Sequence, residues 1–345
     1  MEYCTKEVGK MRSQVAGVLI ICAAAVALSV ETNADQATAP SAGASLASAY
    51  KLVDWPAPAK SAAGFDAPWN LIQASSVAVT ARGTVLVLHR GAHPILEFES
   101  SGALVRSWGD GLISEGKVAA IPQKNWAPER SHYSAVYGPP GCTSCGAHSV
   151  RVDPQGNIWV VDATGHVIYK MNQDGKEIMR LGTKGVSGTS TSTFNLPTDI
   201  AFAGNGDLYV TDGYGGARVV KFSREGKFLL QWGTRGTGPG EFGLPHNVVV
   251  DAQGQVYVTD RDNQRIEVFD PNGKFLTEGK TTAGVSALAI TKDQRIWAGP
   301  VLRGLDGSVL GSLPDASGAH GAAVDAAGNV YLAQLTGIVQ KFVKQ

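Results

Sequence analysis

Leu244-Pro-His-Asn-Val-Val-Val-Asp-Ala-Gln-Gly-Gln-Val-Tyr-Val-Thr-Asp-Arg261 reads as two short strands joined by a turn. Val248 and Val250 alternate with other residues, as a strand requires, and Asp251 to Gly254 supply turn chemistry. Val256, Tyr257 and Val258 open the second strand. The same phrase recurs. One copy begins at His148 and ends at Trp159-Val-Val-Asp162, and another begins at Thr198 and ends at Tyr209-Val-Thr-Asp212. A third begins at His320 and runs through Asp325, Gly328 and Tyr331. Weaker copies start near Ser75 and Ser286, which makes six in all.

The apolar runs are short, β-branched and aromatic, and Gly and Asp punctuate them, so helical alternatives fail. Each copy is followed by further strand-like runs, as in Ile95-Leu-Glu-Phe98 and Leu104-Val-Arg-Ser-Trp108 after the first. Four strands per unit, with starts 73, 50, 48, 40 and 34 residues apart and an insertion in the first interval, describe a propeller. The fold class is all-β, a six-bladed β-propeller spanning 50–345. The sixth unit has only three strands of its own, ending with Ile338 to Phe342. The strand at Tyr50-Lys-Leu-Val-Asp-Trp55 is expected to supply the fourth and close the ring.

The chain has 345 residues, enough for one large core, with 30 basic and 30 acidic residues. That balance gives no bulk electrostatic reason to expect nucleic acid as partner. Residues 1–34 read as a signal peptide, with a basic leader (Lys6, Lys10, Arg12), an apolar run from Val15 to Val30 and the small-residue site Thr32-Asn-Ala34. Residues 35–49 read as a linker. The expected location is secreted or periplasmic, with contact to a membrane only where the leader stays uncleaved. An insertion at 110–147 carries Trp126, His132, Tyr133 and Tyr137 and reads as a lid or binding loop. It also holds Cys142 and Cys145, the two cysteines left after cleavage, for which a local disulfide is the expectation.

In a propeller blade the first strand lines the central channel and the second runs antiparallel to it. The start of the first strand and the end of the second therefore share one face. His148, His246 and His320 occupy the first position in blades two, four and six; Arg90, Tyr214 and Arg261 stand at second-strand ends. Alternate blades of a sixfold ring give threefold symmetry, so three imidazoles converging on the axis suit a His₃ zinc site with an open position. The alternative is that each histidine is a tolerated turn residue before a strand. His89, His93, His132 and His166 lack this phasing and are expected at the surface.

The pieces Leu88-His-Arg-Gly91, Ala147-His-Ser-Val150, Asp212-Gly-Tyr214 with Arg218, Pro245-His246, Asp260-Arg261 and Ala319-His320 resemble the NHL-repeat propellers, and more closely their peptidyl-α-hydroxyglycine α-amidating lyase branch. The resemblance covers about residues 50 to 345. It implies zinc on His148, His246 and His320, with Arg90, Tyr214 and Arg261 at the reacting centre. It also implies a carbinolamide substrate at one channel mouth, cleaved to glyoxylate and an amide. Gly321 stands where the animal lyases carry an acidic calcium ligand, which puts calcium in question. A monomer is expected. The alternative function is a non-catalytic NHL propeller that binds a protein or glycan.

Overall fold

The computed structural model describes residues 45–56, 71–116 and 142–345. The expected signal peptide, most of the expected linker and the middle of the insertion, with its aromatic residues, lie outside the described residues. The described residues all belong to one compact unit of the chain.

Six four-stranded antiparallel sheets succeed one another along the chain. Blade one comprises Ala74–Val79, Val85–His89, Ile95–Phe98 and Leu104–Trp108. Blade two comprises Ala147–Val152, Ile158–Asp162, Val167–Met171 and Glu177–Gly182. Blades three and four begin with Asp199–Phe202 and Pro245–Val250, and blades five and six with Leu288–Ile290 and Gly321–Val324. The last strand of blade six is not its own. Tyr50–Val53 pairs with Ile338–Lys344, Tyr50 opposite Lys344 and Val53 opposite Lys341, so the expected ring closure is present.

Burial explains the sequence pattern strand by strand. A second strand such as Ile158–Asp162 is buried at every position, because both faces of a blade meet neighbouring blades. The outermost strand has one face toward water, and Phe228–Trp232 accordingly alternates partly buried and exposed residues. The recurrent aspartate of the turn has a structural reason too. Asp153 Oδ1 accepts the Gln155 and Asn157 amides at 3.0 and 2.8 Å, and its Oδ2 accepts Trp159 Nε1 at 3.0 Å. Asp251 repeats this with Tyr257, and Asp325 with Tyr331. In the irregular fifth blade Thr291 replaces the aspartate, and the buried Trp297 Nε1 finds no acceptor among the described residues.

One buried acid carries a testable consequence. Glu267 is wholly enclosed; its Oε1 accepts the Gly240 amide at 2.9 Å, and its Oε2 is buried without a partner. Burial pushes its carboxyl up to about 7, against the lowering pull of the Gly240 amide and Arg265. The folded state therefore holds this proton more tightly than the unfolded chain, whose Glu titrates near 4.5. Stability from this group is full below the unfolded value and falls as pH rises toward 7. Glu267→Gln keeps an acceptor for Gly240 and removes the buried charge. We expect it to raise Tm at pH 8 by about 2–4 °C for each kcal/mol of cost relieved, and to give a much smaller gain at pH 5. Equal melting shifts at both pH values would contradict this.

Candidate metal centre

His148 and His246 stand second in the inner strands of blades two and four, and His320 directly precedes that of blade six. The three meet on the axis at one face of the ring, with ring centroids 4.8, 4.9 and 4.7 Å apart, a nearly equilateral set. One ligand atom from each lies within 4.8 Å of the others. All three rings are buried.

The alternation of blades fixes their tautomers. His148 Nδ1 lies 2.6 Å from the Thr198 carbonyl, His246 Nδ1 2.9 Å from that of Ser286, and His320 Nδ1 2.7 Å from that of Ser75. Each acceptor is the equivalent residue of the next blade. A carbonyl can only accept, so each Nδ1 carries the proton and each Nε2 keeps its lone pair. Burial holds the three imidazoles well below their usual range, His320 to about 3. The Arg90 charge adds to this at His148 and His320, and the Arg261 charge at His246. Neutral imidazoles, oriented through Nδ1 and presenting Nε2, are the donor set of a His₃ metal site.

Tyr214 caps the triad. Its phenol oxygen stands 3.2 Å from His148 Nε2 and 3.4 Å from His246 Nε2. The turn Asp212-Gly-Tyr-Gly-Gly216 makes this approach possible. A Cβ on Gly213 would lie 2.3 Å from the Pro245 carbonyl oxygen, so only glycine lets the turn sit against the strand that delivers His246. The Arg261 guanidinium lies over the Tyr214 ring at 5.8 Å, with its Nε donating to Asp262 Oδ1 at 3.0 Å. Arg90 is buried, and its Nε and Nη1 donate to the Ala147 carbonyl and Gln73 Oε1 at 3.3 and 2.7 Å. The six residues singled out in the sequence thus converge on one mouth of the channel. Two guanidinium groups beside three neutral rings favour an anionic ligand there.

The family model DUF5128, described as a 6-bladed beta-propeller, matches residues 191–300. Mouse peptidyl-glycine alpha-amidating monooxygenase is 33% identical over 167 residues, 47% of this chain and 16% of that protein. The probable peptidyl-alpha-hydroxyglycine alpha-amidating lyase pgal-1 of Caenorhabditis elegans is 30% identical over 160 residues, 46% of this chain and 43% of that protein. The chain is a six-bladed β-propeller with homologues among the amidating lyases. Its match spans less than half the length of either relative. A streptogramin B lyase structure shares the fold, with TM-score 0.54 at 12% identity over 86% of this chain and 99% of that one.

Several supports of the propeller's site were not singled out in the sequence. Asp260 Oδ1 accepts the Gly243 and Leu244 amides at 2.8 and 2.9 Å, fixing the segment that leads into His246, while its Oδ2 accepts Arg265 Nε at 3.0 Å. Asp212 does the same for Asn195, and Asp162 for Ser114. A short parallel pair, Thr234–Arg235 with Glu241–Phe242, precedes blade four. From it Arg235 donates to the Tyr214 and Gly243 carbonyls at 3.0 and 3.1 Å. The signal for the aspartates was their recurrence at second-strand ends.

One expectation is corrected. His89 is not a surface residue but buried, accepting the Gly91 amide on Nδ1 at 3.2 Å and facing the His93 carbonyl with Nε2. Burial lowers its pKa to about 4. His166 is partly buried and accepts the Leu196 amide at 3.1 Å; His93 pairs with Asp110; His132 lies outside the described residues. Cys142 and Cys145 form a disulfide with Cα atoms 5.5 Å apart. The loop they close is tacked to the site, since the Thr143 and Ser144 amides both donate to the Arg90 carbonyl at 3.1 Å.

Proposed function

We propose that this propeller is a secreted or periplasmic, zinc-dependent carbon–nitrogen lyase acting on a carbinolamide such as a peptidyl-α-hydroxyglycine. The observation that carries this reading is the phenol of Tyr214 set across the Nε2 atoms of two of three neutral, oriented imidazoles. His148, His246 and His320 would hold the ion. When bound, a divalent cation supplies Lewis acidity that lowers the pKa of a substrate hydroxyl. The chain's residues do the rest. Tyr214 relays the proton, its oxygen taking the hydroxyl proton as its own phenolic proton passes to the departing amide nitrogen. As the carbonyl forms, the carbon–nitrogen bond breaks, its electron pair goes to the amide nitrogen, and that nitrogen gains a proton. Arg90 and Arg261 hold the substrate carboxylate and stabilise charge as it develops. The products are a peptide amide and glyoxylate.

In this reading the substrate is a small molecule or peptide that enters from one channel mouth, and the chain works as a monomer without nucleic acid. The leader and the disulfide support an oxidising compartment. The test is elemental analysis of the purified protein together with glyoxylate release from a peptide ending in α-hydroxyglycine. One zinc per chain and steady glyoxylate release are expected. Zinc without turnover would remove this substrate class, and a folded, metal-free protein would point to a binding module.

A further inference from the structure

One to three residues further along the inner strands, the axis holds a second cluster. Arg151 of blade two extends across the channel toward four other blades. Its Nε and Nη2 grip Asp199 of blade three at 2.9 and 2.6 Å, a bidentate pair. Nη2 also donates to Asn247 Oδ1 of blade four at 2.7 Å. Nη1 donates to the Leu288 carbonyl of blade five and the Ala322 carbonyl of blade six, at 3.3 and 3.4 Å. All five guanidinium hydrogens therefore have acceptors. The cage is braced from outside, because Ser149 Oγ and the Val248 amide donate to Asp199, and the Leu288 amide donates to Asn247 Oδ1.

Those acceptors are a carboxylate, an amide oxygen and two backbone carbonyls, the hard oxygen set that calcium takes. The calcium ligand that the family resemblance implied does not fit this chain. A Cβ on Gly321 would lie 2.6 Å from Ser76 Cα, so no acidic side chain can stand there. The oxygens next to it are already occupied by the guanidinium. We propose that the axial cage is a cation site filled from within. Arg151 supplies the positive charge that a bound ion would otherwise provide, the wild-type chain takes up no calcium, and shortening Arg151 opens a site for it. Arg151 also lines a cavity of about 240 Å³ at the far channel mouth, with Val77, Ile200 and Val248 among its walls. That cavity gives an ion its route in and holds the waters that complete its coordination.

The experiment is thermal melting with and without calcium chloride, alongside calcium analysis after dialysis. Wild type is expected to be indifferent to calcium and to carry none. Arg151→Ser is expected to melt lower than wild type and to gain about 5–10 °C when calcium reaches roughly a hundred times its Kd. It should retain one calcium per chain. Arg151→Lys, which keeps a positive charge, should stay indifferent. Recovery of soluble Arg151→Ser only when calcium is present would also support the proposal. A folded Arg151→Ser that ignores calcium overturns it, as does a variant that calcium cannot make soluble. Calcium stabilisation of wild type equal to that of the variant overturns it as well. None of these readouts depends on lyase activity.

Discussion

His246→Ala is expected to emerge from purification without bound metal and without measurable glyoxylate release. His246 is wholly buried and donates through Nδ1 to Ser286, so its Nε2 has no role in the fold beyond the contacts at the axis. Loss of an outer partner that merely orients a metal ligand already costs about 10–100-fold in affinity. Loss of the ligand itself removes one of three donors and exceeds that range. The fold should survive, because the imidazole closes no sheet pairing and the Asp260 anchor on Gly243 and Leu244 remains. The comparison is with His93→Ala, whose ring pairs with Asp110 at the surface and which should keep its metal. Zinc content in His246→Ala equal to wild type would remove the triad as the metal centre.

Tyr214→Phe separates the metal from the chemistry. The substitution deletes one oxygen, 3.2 Å from His148 Nε2 and 3.4 Å from His246 Nε2, and leaves the ring under Arg261. A hydrogen bond of this kind is worth about 1 kcal/mol to stability, so melting should shift little. General-base catalysis contributes about 10²–10⁴-fold, and kcat should fall by that much while zinc content stays at one per chain. Steady-state kinetics with matched metal analysis decides the matter. A kcat within a few-fold of wild type would mean that Tyr214 only covers the site.

The units were legible because five of the six pair an inner strand with a glycine turn, and the aspartate of the strongest copies works locally. It binds amides two and four residues on, and in blades two, four and six the aromatic six residues on. The fifth unit was faint for the same reason, since Thr291 accepts the amide four residues on but leaves Trp297 Nε1 without an acceptor. The triad was legible because histidine alternated with Thr198, Ser75 and Ser286, and the structure shows that each of these provides the carbonyl its neighbouring histidine needs. The axial cage was not. Arg151, Asp199 and Asn247 are polar residues in apolar inner strands, and that signal was on view, but their contacts join residues as far as 171 positions apart. The parallel pair before blade four is only two residues per strand and leaves no periodicity to detect. His89 ends a strand beside Arg90, and nothing local distinguishes a buried end from an exposed one.

The meeting of residues 50–53 with 338–344 has a temporal side. A half-made chain can stack blades in order, but His320 comes from the last blade, for which the first strand must wait. Two imidazoles are in place early, and the third arrives only when synthesis has run almost to completion. A nascent or clipped product would thus lack the third imidazole as well as the seam. A complete triad distinguishes finished molecules from unfinished ones.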